Sequence, residues 1–175
     1  VQIREKTGPV RDFVALVRAV KAAVPVPVLV NDRVDVALAA GADGAHVGQQ
    51  DLPVADARRL LGPDAILGYS VETVDQARAA ASLDVDYLGL SPVHHTPTKT
   101  DVDTSLGLDG VRAIRDLSSR PLVGIGGLDA SNAAAVLAAG ADGVAVVSAI
   151  MAADDPGQAA RELRAVVDAA RGERA

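Results

Sequence analysis

The feature that most constrains the fold of this sequence is a short joint that recurs between a helical pattern and an apolar run. The segment Ala-Ala-Gly-Ala-Asp-Gly occupies residues 39–44 and again residues 138–143, and a degenerate copy lies at residues 83–87. In the full copies, glycine permits the left-handed conformation that ends a helix, and aspartate stabilises a tight turn. We interpret these joints as structural, and their recurrence indicates alternating helices and strands.

The alternation extends over the whole chain. Short apolar runs predict seven strands, at residues 1–6, 27–30, 44–48, 66–70, 87–93, 122–127 (a strand that ends in a glycine turn) and 143–150. Apolar residues at helical spacing predict helices at residues 9–24, 34–40, 53–62, 73–82, 108–117, 131–139 and 156–171.

Such regular alternation implies parallel strands joined by crossover helices. Two architectures fit this pattern: an open doubly wound sheet, and a (βα)₈ barrel of the TIM type that is short of one unit. The repeated joint and the small apolar strands favour the barrel. We therefore expect one α/β domain over residues 1–175, with the first strand–helix unit absent from this chain.

The composition of the chain limits which kinds of molecule it is expected to bind. Hydrophobic residues make up 49% of the chain and aromatic residues only 2%, so the core must consist of Val, Leu, Ile and Ala. The net charge is −6, which together with the few aromatic residues argues against a nucleic-acid binder. There is no cysteine, which excludes disulfides and thiolate zinc sites. No run resembles a signal peptide or a membrane span, so we expect a cytoplasmic protein without membrane partners.

Reactive groups follow the predicted strands at their C-terminal ends, where a barrel of this class carries its active site. They are Arg4, Lys6, Asn31, Asp32, Asp51, Ser70, Thr96, Thr98, Lys99, Gly126, Gly127, Val147 and Ser148. Hydroxyl groups beside a lysine suit a phosphate. Two carboxylates among phosphate-binding groups suit Mg²⁺, which shares its coordination shell between protein and phosphate oxygens. The set therefore predicts a site for a magnesium diphosphate and a second phosphate.

Structural alternatives exist for several of these residues. Asp32, Asp51 and Ser70 are also suitable as helix N-caps, and the two glycines are suitable for a tight turn. His46 lies inside a predicted strand, and we interpret it as a structural histidine. The adjacent His94 and His95 point in different directions from a strand end, and a metal role for them is not favoured.

The ordered set of segments resembles the thiamine phosphate synthase family. The segments are Val-Gln-Ile-Arg-Glu-Lys at 1–6, Asn-Asp-Arg-Val-Asp-Val-Ala at 31–37, Gly-Ala-Asp-Gly-Ala-His-Val-Gly-Gln-Gln-Asp at 41–51, Gly-Tyr-Ser at 68–70, Thr-Pro-Thr-Lys-Thr-Asp at 96–101, Gly-Ile-Gly-Gly at 124–127 and Val-Ser-Ala-Ile at 147–150. Gly-Ala-Asp-Gly alone is common in barrels, whereas the ordered set is specific.

The resemblance implies an enzyme that joins hydroxymethylpyrimidine diphosphate to a thiazole phosphate and releases pyrophosphate by a Mg²⁺-assisted dissociative mechanism. It implies Asp32 and Asp51 as metal ligands, and catalytic roles for Lys99, Ser70 and Arg4. The residues implied for the pyrimidine diphosphate are Gln2, Arg4, Glu5, Lys6, Asn31, Ser70 and Lys99. Those implied for the thiazole phosphate are Thr96, Pro97, Thr98, Gly127, Val147 and Ser148.

The residues leave two related functions open, and without the resemblance they would indicate a generic phosphate-binding barrel enzyme. The related thiazole tautomerase has the same fold, but it carries a histidine shortly after the fourth strand's serine, where this chain has Val71 and Glu72. A non-catalytic phosphate-binding regulator is less compatible with two carboxylates and Lys99, because a binder needs no metal. We expect small phosphorylated molecules as partners, and the sequence makes no prediction of the oligomeric state.

Overall fold

The computed structural model describes residues 1–95 and 105–172 of the chain. The chain forms two compact units, one of Val1–Ser70 with Ser82–Tyr87 and the other of Val71–Ala81 with Leu88–Ala175. Each unit repeats a strand followed by a helix, and the strand pairs within each unit are parallel. The α/β class with parallel strands is therefore confirmed, while the single domain stays a prediction.

The first unit contains the strands β1 to β4, which pair in chain order. Their bounds are β1 (Gln2–Ile3), β2 (Leu29–Asn31), β3 (Gly44–Val47) and β4 (Ile66–Val71, whose last residue belongs to the second unit). The helices between them are α1 (Val10–Ala23), α2 (Val34–Ala40) and α3 (Val54–Leu61). All four residues of β3 are buried, as expected of a parallel strand that is covered on both faces.

The second unit continues the alternation with shorter elements. Its elements are α4 (Val74–Ala79), β5 (Tyr87–Leu90, whose first residue belongs to the first unit), α5 (Gly107–Leu117), β6 (Leu122–Ile125), α6 (Ala133–Ala138), β7 (Gly143–Ala145), α7 (Ser148–Met151) and α8 (Pro156–Gly172). A single 3₁₀ turn at Ala80–Ser82 follows α4. The strands β5, β6 and β7 pair in that order.

One predicted element is wrong in part. The seventh strand was expected to run over residues 143–150, but β7 ends at Ala145 and the short helix α7 begins at Ser148. Short apolar runs suit a buried strand and a buried helix equally well, so periodicity does not separate the two. The other predicted helices and strands are present with ends that differ by a few residues.

The core has the composition that the sequence predicts. Fully buried side chains include Val30 and Leu67 in the first unit and Leu88, Leu122 and Ile114 in the second. Each such side chain contributes about 1.5–3 kcal/mol to folding when it leaves water. In the described part of the chain, every helix is too short or too polar to cross a membrane.

The aspartates of the recurring joint, Asp43, Asp86 and Asp142, make the same contacts in all three places. Each one lies just before a strand, and its carboxylate accepts a hydrogen bond from the backbone N–H near the start of the preceding strand. The donors are Val28, Leu67 and Leu122, at 2.8, 2.7 and 2.8 Å. The backbone N–H of each aspartate donates in return to the carbonyl of the same residue. The joint therefore fastens the N-terminal ends of two neighbouring strands together.

A basic side chain from an earlier helix completes each joint. Lys21 on α1 pairs with Asp43 at 2.5 Å, Arg58 on α3 with Asp86 at 2.8 Å, and Arg115 on α5 with Asp142 at 2.8 Å. The Lys21 ammonium and the Val28 N–H hold the pKa of Asp43 below its ordinary value. The structural interpretation of these motifs is confirmed, and the basic partner is an addition that the local sequence does not show.

Candidate active site

Two carboxylates lie after neighbouring strands in the first unit. Asp32 follows β2 directly, and its backbone N–H donates to the carbonyl of His46 on β3 at 2.8 Å. Asp51 lies in the turn after β3, where its Oδ2 accepts from the N–H of Gly48 at 2.7 Å. Parallel strands present their C-terminal ends at the same edge of a sheet, and these two aspartates therefore lie at one edge.

The environment of Asp32 disfavours its negative charge. Burial raises the pKa of Asp32, and charge repulsion from the neighbouring Asp51 carboxylate raises it further. The cations of Lys6 and Arg4 act in the opposite direction but do not cancel the effect. Two carboxylates that repel each other in this way are suited to binding a metal cation between them.

The backbone of Asp32 is also unusual. Its φ angle is +62°, and it is the one residue other than glycine with a positive φ in the described part of the chain. A left-handed conformation costs a non-glycine residue roughly 1–2 kcal/mol, although aspartate tolerates it better than most. Strain of this kind concentrates at functional positions.

The alternative interpretation of these residues as helix caps is wrong. The N-cap of α2 is Arg33 and that of α3 is Pro53, and neither helix has a side-chain cap hydrogen bond. Ser70 is not a cap either, because Thr73 caps α4 by accepting from the N–H of Gln76. None of the three is needed to begin a helix.

The residues after β1 surround the first carboxylate. Lys6 Nζ lies 4.0 Å from Asp32 Oδ2, and the Gln2 amide donates to Asn31 Oδ1 at 3.1 Å. Glu5 instead accepts from the N–H groups of Thr7 and Gly8 at 2.7 and 3.0 Å, which lowers its pKa. Gln2, Arg4, Lys6 and Asn31 therefore lie at the carboxylate edge, whereas the carboxylate of Glu5 holds a local turn.

Ser70, at the end of β4, is held through both its side chain and its backbone. The Nε2 atom of His46 lies 2.8 Å from Ser70 Oγ, and the amide of Gln49 donates to the Ser70 carbonyl at 2.8 Å. The other ring nitrogen of His46, Nδ1, lies 2.8 Å from the hydroxyl of Tyr87. The prediction that His46 is a buried histidine with hydrogen-bond partners is confirmed, since it is 8% exposed.

In the second unit, Gly126 and Gly127 form the turn after β6. Both have positive φ angles, +98° and +64°. A Cβ atom on Gly126 would lie 2.7 Å from Pro92 Cβ, and one on Gly127 would lie 2.7 Å from the carbonyl oxygen of His95. The glycines thus allow residues 92–95 to lie against the turn, and His94 N–H donates to the Gly126 carbonyl at 3.0 Å. The turn interpretation is confirmed, and the turn also positions the segment that follows β5.

The remaining predicted residues divide into two groups. Val147 is exposed and immediately precedes the short helix α7, whose first residue is Ser148, so both lie beyond β7 and not within a strand. Thr96, Pro97, Thr98 and Lys99 lie outside the described residues.

Sequence reasoning missed the residues that hold Ser70 in place. Gln49 and Tyr87 were not selected, because each acts through a contact that is distant in sequence. Gly68 in β4 is a usable signal: a Cβ there would lie 2.2 Å from Tyr87 Cζ and 2.4 Å from His46 Nδ1. A glycine inside a strand often marks a close approach of this kind.

Known proteins match this chain over nearly its whole length. A sequence model of the family described as thiamine monophosphate synthase matches residues 1–150. The thiamine-phosphate synthase of Albidiferax ferrireducens is 53% identical over 172 residues, which cover 97% of this chain and 78% of the relative. That of Moorella thermoacetica is 50% identical over 175 residues, covering 98% and 83%. Among solved structures, a thiamine phosphate pyrophosphorylase from Pyrococcus furiosus has a TM-score of 0.87 at 37% identity, covering 97% of this chain and 82% of that one.

Proposed function

This chain belongs to the thiamine monophosphate synthase family, and we propose that it joins hydroxymethylpyrimidine diphosphate to a thiazole phosphate to give thiamine phosphate and pyrophosphate. The observation that carries the proposal is identity of 50% or more to two thiamine-phosphate synthases over 97–98% of this chain. The chain is accordingly an enzyme of thiamine biosynthesis. We further propose that its α/β units belong to a (βα)₈ barrel.

The proposed reaction is dissociative. The bond between the pyrimidine methylene carbon and the diphosphate oxygen breaks, and its electron pair leaves with the pyrophosphate. The thiazole nitrogen then donates its lone pair to the resulting carbocation and forms the new carbon–nitrogen bond. This chemistry requires positive charge near the leaving group and does not require a base–nucleophile pair. Arg4 and Lys6, beside Asp32, and Lys99 are the cations that we assign to the diphosphate.

The carboxylate pair fits Mg²⁺. In the described residues, no three His, Cys, Asp or Glu side chains lie together, so a metal here would depend on oxygens beyond the protein. Mg²⁺ usually takes only one or two protein carboxylates and completes its shell with phosphate oxygens and water. The repulsion between Asp32 and Asp51 supports such a bridging cation. Bound Mg²⁺ would neutralise charge that develops on the departing diphosphate.

We assign the second phosphate to the other group of predicted residues. Gly127 lies in a left-handed turn that lets the segment leading to Thr96 pack against it. Thr96 and Thr98 offer hydroxyl donors, and Val147 with Ser148 begins α7. Neutral donors suit a phosphate monoester that is bound and not expelled.

The activity is tested directly with purified protein. Hydroxymethylpyrimidine diphosphate, thiazole phosphate and Mg²⁺ are incubated with it, and thiamine phosphate and pyrophosphate are measured in equal amounts. A folded protein that forms neither product would contradict the proposed function. Conversion of a carboxythiazole phosphate to its tautomer would instead support the isomerase, which the synthase relatives and Val71–Glu72 do not favour.

The metal assignment is tested by Asp32→Asn and Asp51→Asn. Each is expected to lower kcat roughly 100-fold and to raise the Mg²⁺ concentration needed for half-maximal rate, since one ligand charge is lost. Asp35→Asn and Asp56→Asn are matched controls, because Asp35 is exposed, Asp56 is half-exposed, and they pair with Arg33 and Arg59. Binding of Mn²⁺ in the presence of pyrophosphate, followed by electron paramagnetic resonance, gives a readout besides activity. Unchanged Mn²⁺ binding in both variants would overturn the assignment.

A cytoplasmic location and the absence of nucleic-acid partners stay predictions. The proposed substrates are small phosphorylated molecules, and each binds through the charged and hydroxyl groups named above.

A further inference from the structure

We propose that Tyr87 and His46 are positioning residues that direct the hydroxyl hydrogen of Ser70 toward an acceptor atom of the bound pyrimidine diphosphate. The inference rests on the proposed function, because Ser70 is assigned to that substrate. Tyr87 and His46 then act on the substrate through Ser70 and do not touch it themselves.

The three side chains form one continuous polar chain within the first unit. The Tyr87 hydroxyl lies 2.8 Å from His46 Nδ1, and His46 Nε2 lies 2.8 Å from Ser70 Oγ. The imidazole is 8% exposed, and its ring centre lies 5.4 Å from that of Tyr87. A buried imidazole with a partner on each nitrogen has a fixed ring orientation.

The direction of the hydrogen bonds follows from Tyr87. Burial raises the pKa of Tyr87 to about 12, so the phenol keeps its hydrogen at neutral pH. Within the described residues, the hydroxyl has one hydrogen-bond partner, His46 Nδ1. An unpaired buried hydrogen is costly, so the phenol donates and Nδ1 accepts.

The tautomer of His46 then decides the state of Ser70. A neutral imidazole carries one hydrogen, and with Nδ1 accepting, that hydrogen is on Nε2. The Nε2–H donates to Ser70 Oγ, which leaves the serine's own hydrogen for another acceptor. In the opposite tautomer, Ser70 would donate to the histidine and could only accept from the substrate.

Two further contacts indicate that this arrangement is built into the fold. Gly68 leaves the space in which Tyr87 and His46 meet, since a Cβ at that position would lie 2.2 Å from the tyrosine ring and 2.4 Å from the imidazole. Gln49 donates to the Ser70 carbonyl at 2.8 Å, so the serine backbone is fixed independently of its side chain. The direction of the Ser70 O–H bond is then the remaining degree of freedom, and the hydrogen bond from His46 sets it.

The first test measures the tautomer itself. In protein labelled with ¹⁵N at histidine, we expect the ring nitrogens of His46 to show an unprotonated Nδ1 and a protonated Nε2, with His46→Gln used for assignment. In Tyr87→Phe we expect this preference to weaken, because the phenol no longer donates to Nδ1. A protonated Nδ1 in the wild-type protein would overturn the proposal. This readout does not depend on turnover, so its failure is separate from failure of the proposed function.

The second test is a double-mutant cycle on kcat/KM for the pyrimidine diphosphate. Tyr87→Phe is expected to lower this value about tenfold, the lower end of the loss seen when a residue that orients a metal-bound histidine is removed. In a Ser70→Ala background, Tyr87→Phe is expected to change kcat/KM less than about twofold, because the hydroxyl through which Tyr87 acts on the substrate is absent. KM for the thiazole phosphate stays unchanged. Equal losses in both backgrounds would overturn the proposal, since a purely structural role does not depend on Ser70.

Rescue and stability controls complete the test. His46→Gln retains an N–H that can reach Ser70 and is expected to keep more activity than His46→Leu. Asp142→Asn weakens a joint in the second unit, remote from Ser70 in sequence, and is expected to lower the melting temperature without the substrate-specific loss. Loss of kcat/KM in Asp142→Asn that matches Tyr87→Phe would show that reduced stability explains both, and would contradict a positioning role.

Discussion

At the scale of single residues, Asp32 is held in an unfavourable state. Its carboxylate is partly buried beside Asp51, burial raises its pKa, and its backbone is in the left-handed region. Each of these features opposes folding, and none is compensated by a capping role. Residues of this kind are retained for function at the expense of stability.

We predict that Asp32→Asn stabilises the metal-free protein at neutral pH. Because the pKa of Asp32 is raised in the folded state, its charge opposes folding above that pKa, and this penalty disappears as pH falls toward the ordinary aspartate value. Asparagine removes the charge and tolerates a positive φ. The melting temperature should rise by a few degrees at pH 7, since about 1 kcal/mol corresponds to roughly 2–4 °C in a domain of this size.

The control for this prediction is Asp35→Asn. Its hydrogen bond with Arg33 lowers the pKa of Asp35, so that carboxylate stabilises the fold above its unfolded pKa and loses this effect as pH falls. The two substitutions should therefore shift the melting temperature in opposite directions at pH 7. A lower melting temperature in metal-free Asp32→Asn would contradict the strained state of Asp32.

The residue types and positions of Asp32, Asp51 and Ser70 could be predicted from the sequence, because each follows an apolar strand. Their shared environment could not be predicted. The repulsion between the two aspartates depends on the pairing of β2 with β3, and the contact of Ser70 with His46 joins residues 24 apart. Local sequence carries no record of which side chains meet in this way.

At the scale of elements, the three aspartate joints fasten the starts of neighbouring strands to each other. Each joint links two strand starts and one earlier helix through a carboxylate. The basic partners differ in exposure: the side chains of Arg58 and Arg115 are 11% and 24% exposed, and that of Lys21 is 38% exposed. A less exposed cation regains less hydration when its carboxylate is removed.

We predict that the loss of stability on removing each aspartate depends on how exposed its basic partner is. Asp86→Ala and Asp142→Ala should each lower the free energy of unfolding by about 2–3 kcal/mol, because a backbone N–H loses its side-chain acceptor and a guanidinium, which keeps its backbone carbonyl acceptors, loses a carboxylate partner. Asp43→Ala also leaves the Val28 N–H without this acceptor but should cost less, about 1 kcal/mol, since the Lys21 ammonium can be rehydrated. Urea unfolding at constant m-value measures these costs.

Asp109→Ala is the comparison for the joint variants. That side chain is 99% exposed and, among the residues that the structure describes, pairs with Arg112 alone on the same helix, so no measurable change is expected. A loss in Asp43→Ala that exceeds both arginine joints would show that exposure of the cation does not determine the cost.

Two strand glycines give a matched pair of opposite predictions. Gly68→Ala on β4 should lower the free energy of unfolding by about 1–3 kcal/mol or more, because its Cβ would overlap Tyr87 and His46. A Cβ at Gly143 on β7 would meet no atom of the described residues within 4 Å, so Gly143→Ala should be neutral or stabilising by about 0.4–1 kcal/mol. Thermal unfolding of both variants measures the difference. Equal losses in the two would contradict the close approach at Gly68.

At the scale of the whole molecule, the parallel α/β plan could be predicted because alternation and glycine caps are local signals. Gly41 shows this, since it ends α2 in the left-handed conformation at the predicted residue. The end of β7 could not be predicted, because the apolar run from Val144 to Ile150 suits either conformation. For the functional residues too, the positions after strands can be predicted from local sequence, whereas the contacts among their side chains cannot.

We expect the whole enzyme to distinguish its two substrates by the kind of side chain that binds each phosphate group. Thr98 offers a neutral hydroxyl, which suits a phosphate that stays bound before and during the reaction. Thr98→Ala should therefore raise KM for the thiazole phosphate about tenfold with little change in kcat. Lys99 is a point charge that can follow charge building on the departing diphosphate. Lys99→Ala should therefore lower kcat roughly 100-fold.

His94→Phe is the comparison for both variants. The His94 N–H is held by the Gly126 carbonyl, and its Cβ packs against Gly127, so its imidazole is assigned to packing and not to chemistry. Steady-state kinetics with each substrate varied in turn should leave both kinetic constants within about threefold of wild type, because the backbone contact survives the change. A loss in His94→Phe comparable to that in Lys99→Ala would transfer the charge-stabilising role to the histidine. A rise in KM for the thiazole phosphate alone would place His94 with Thr98 at the second phosphate.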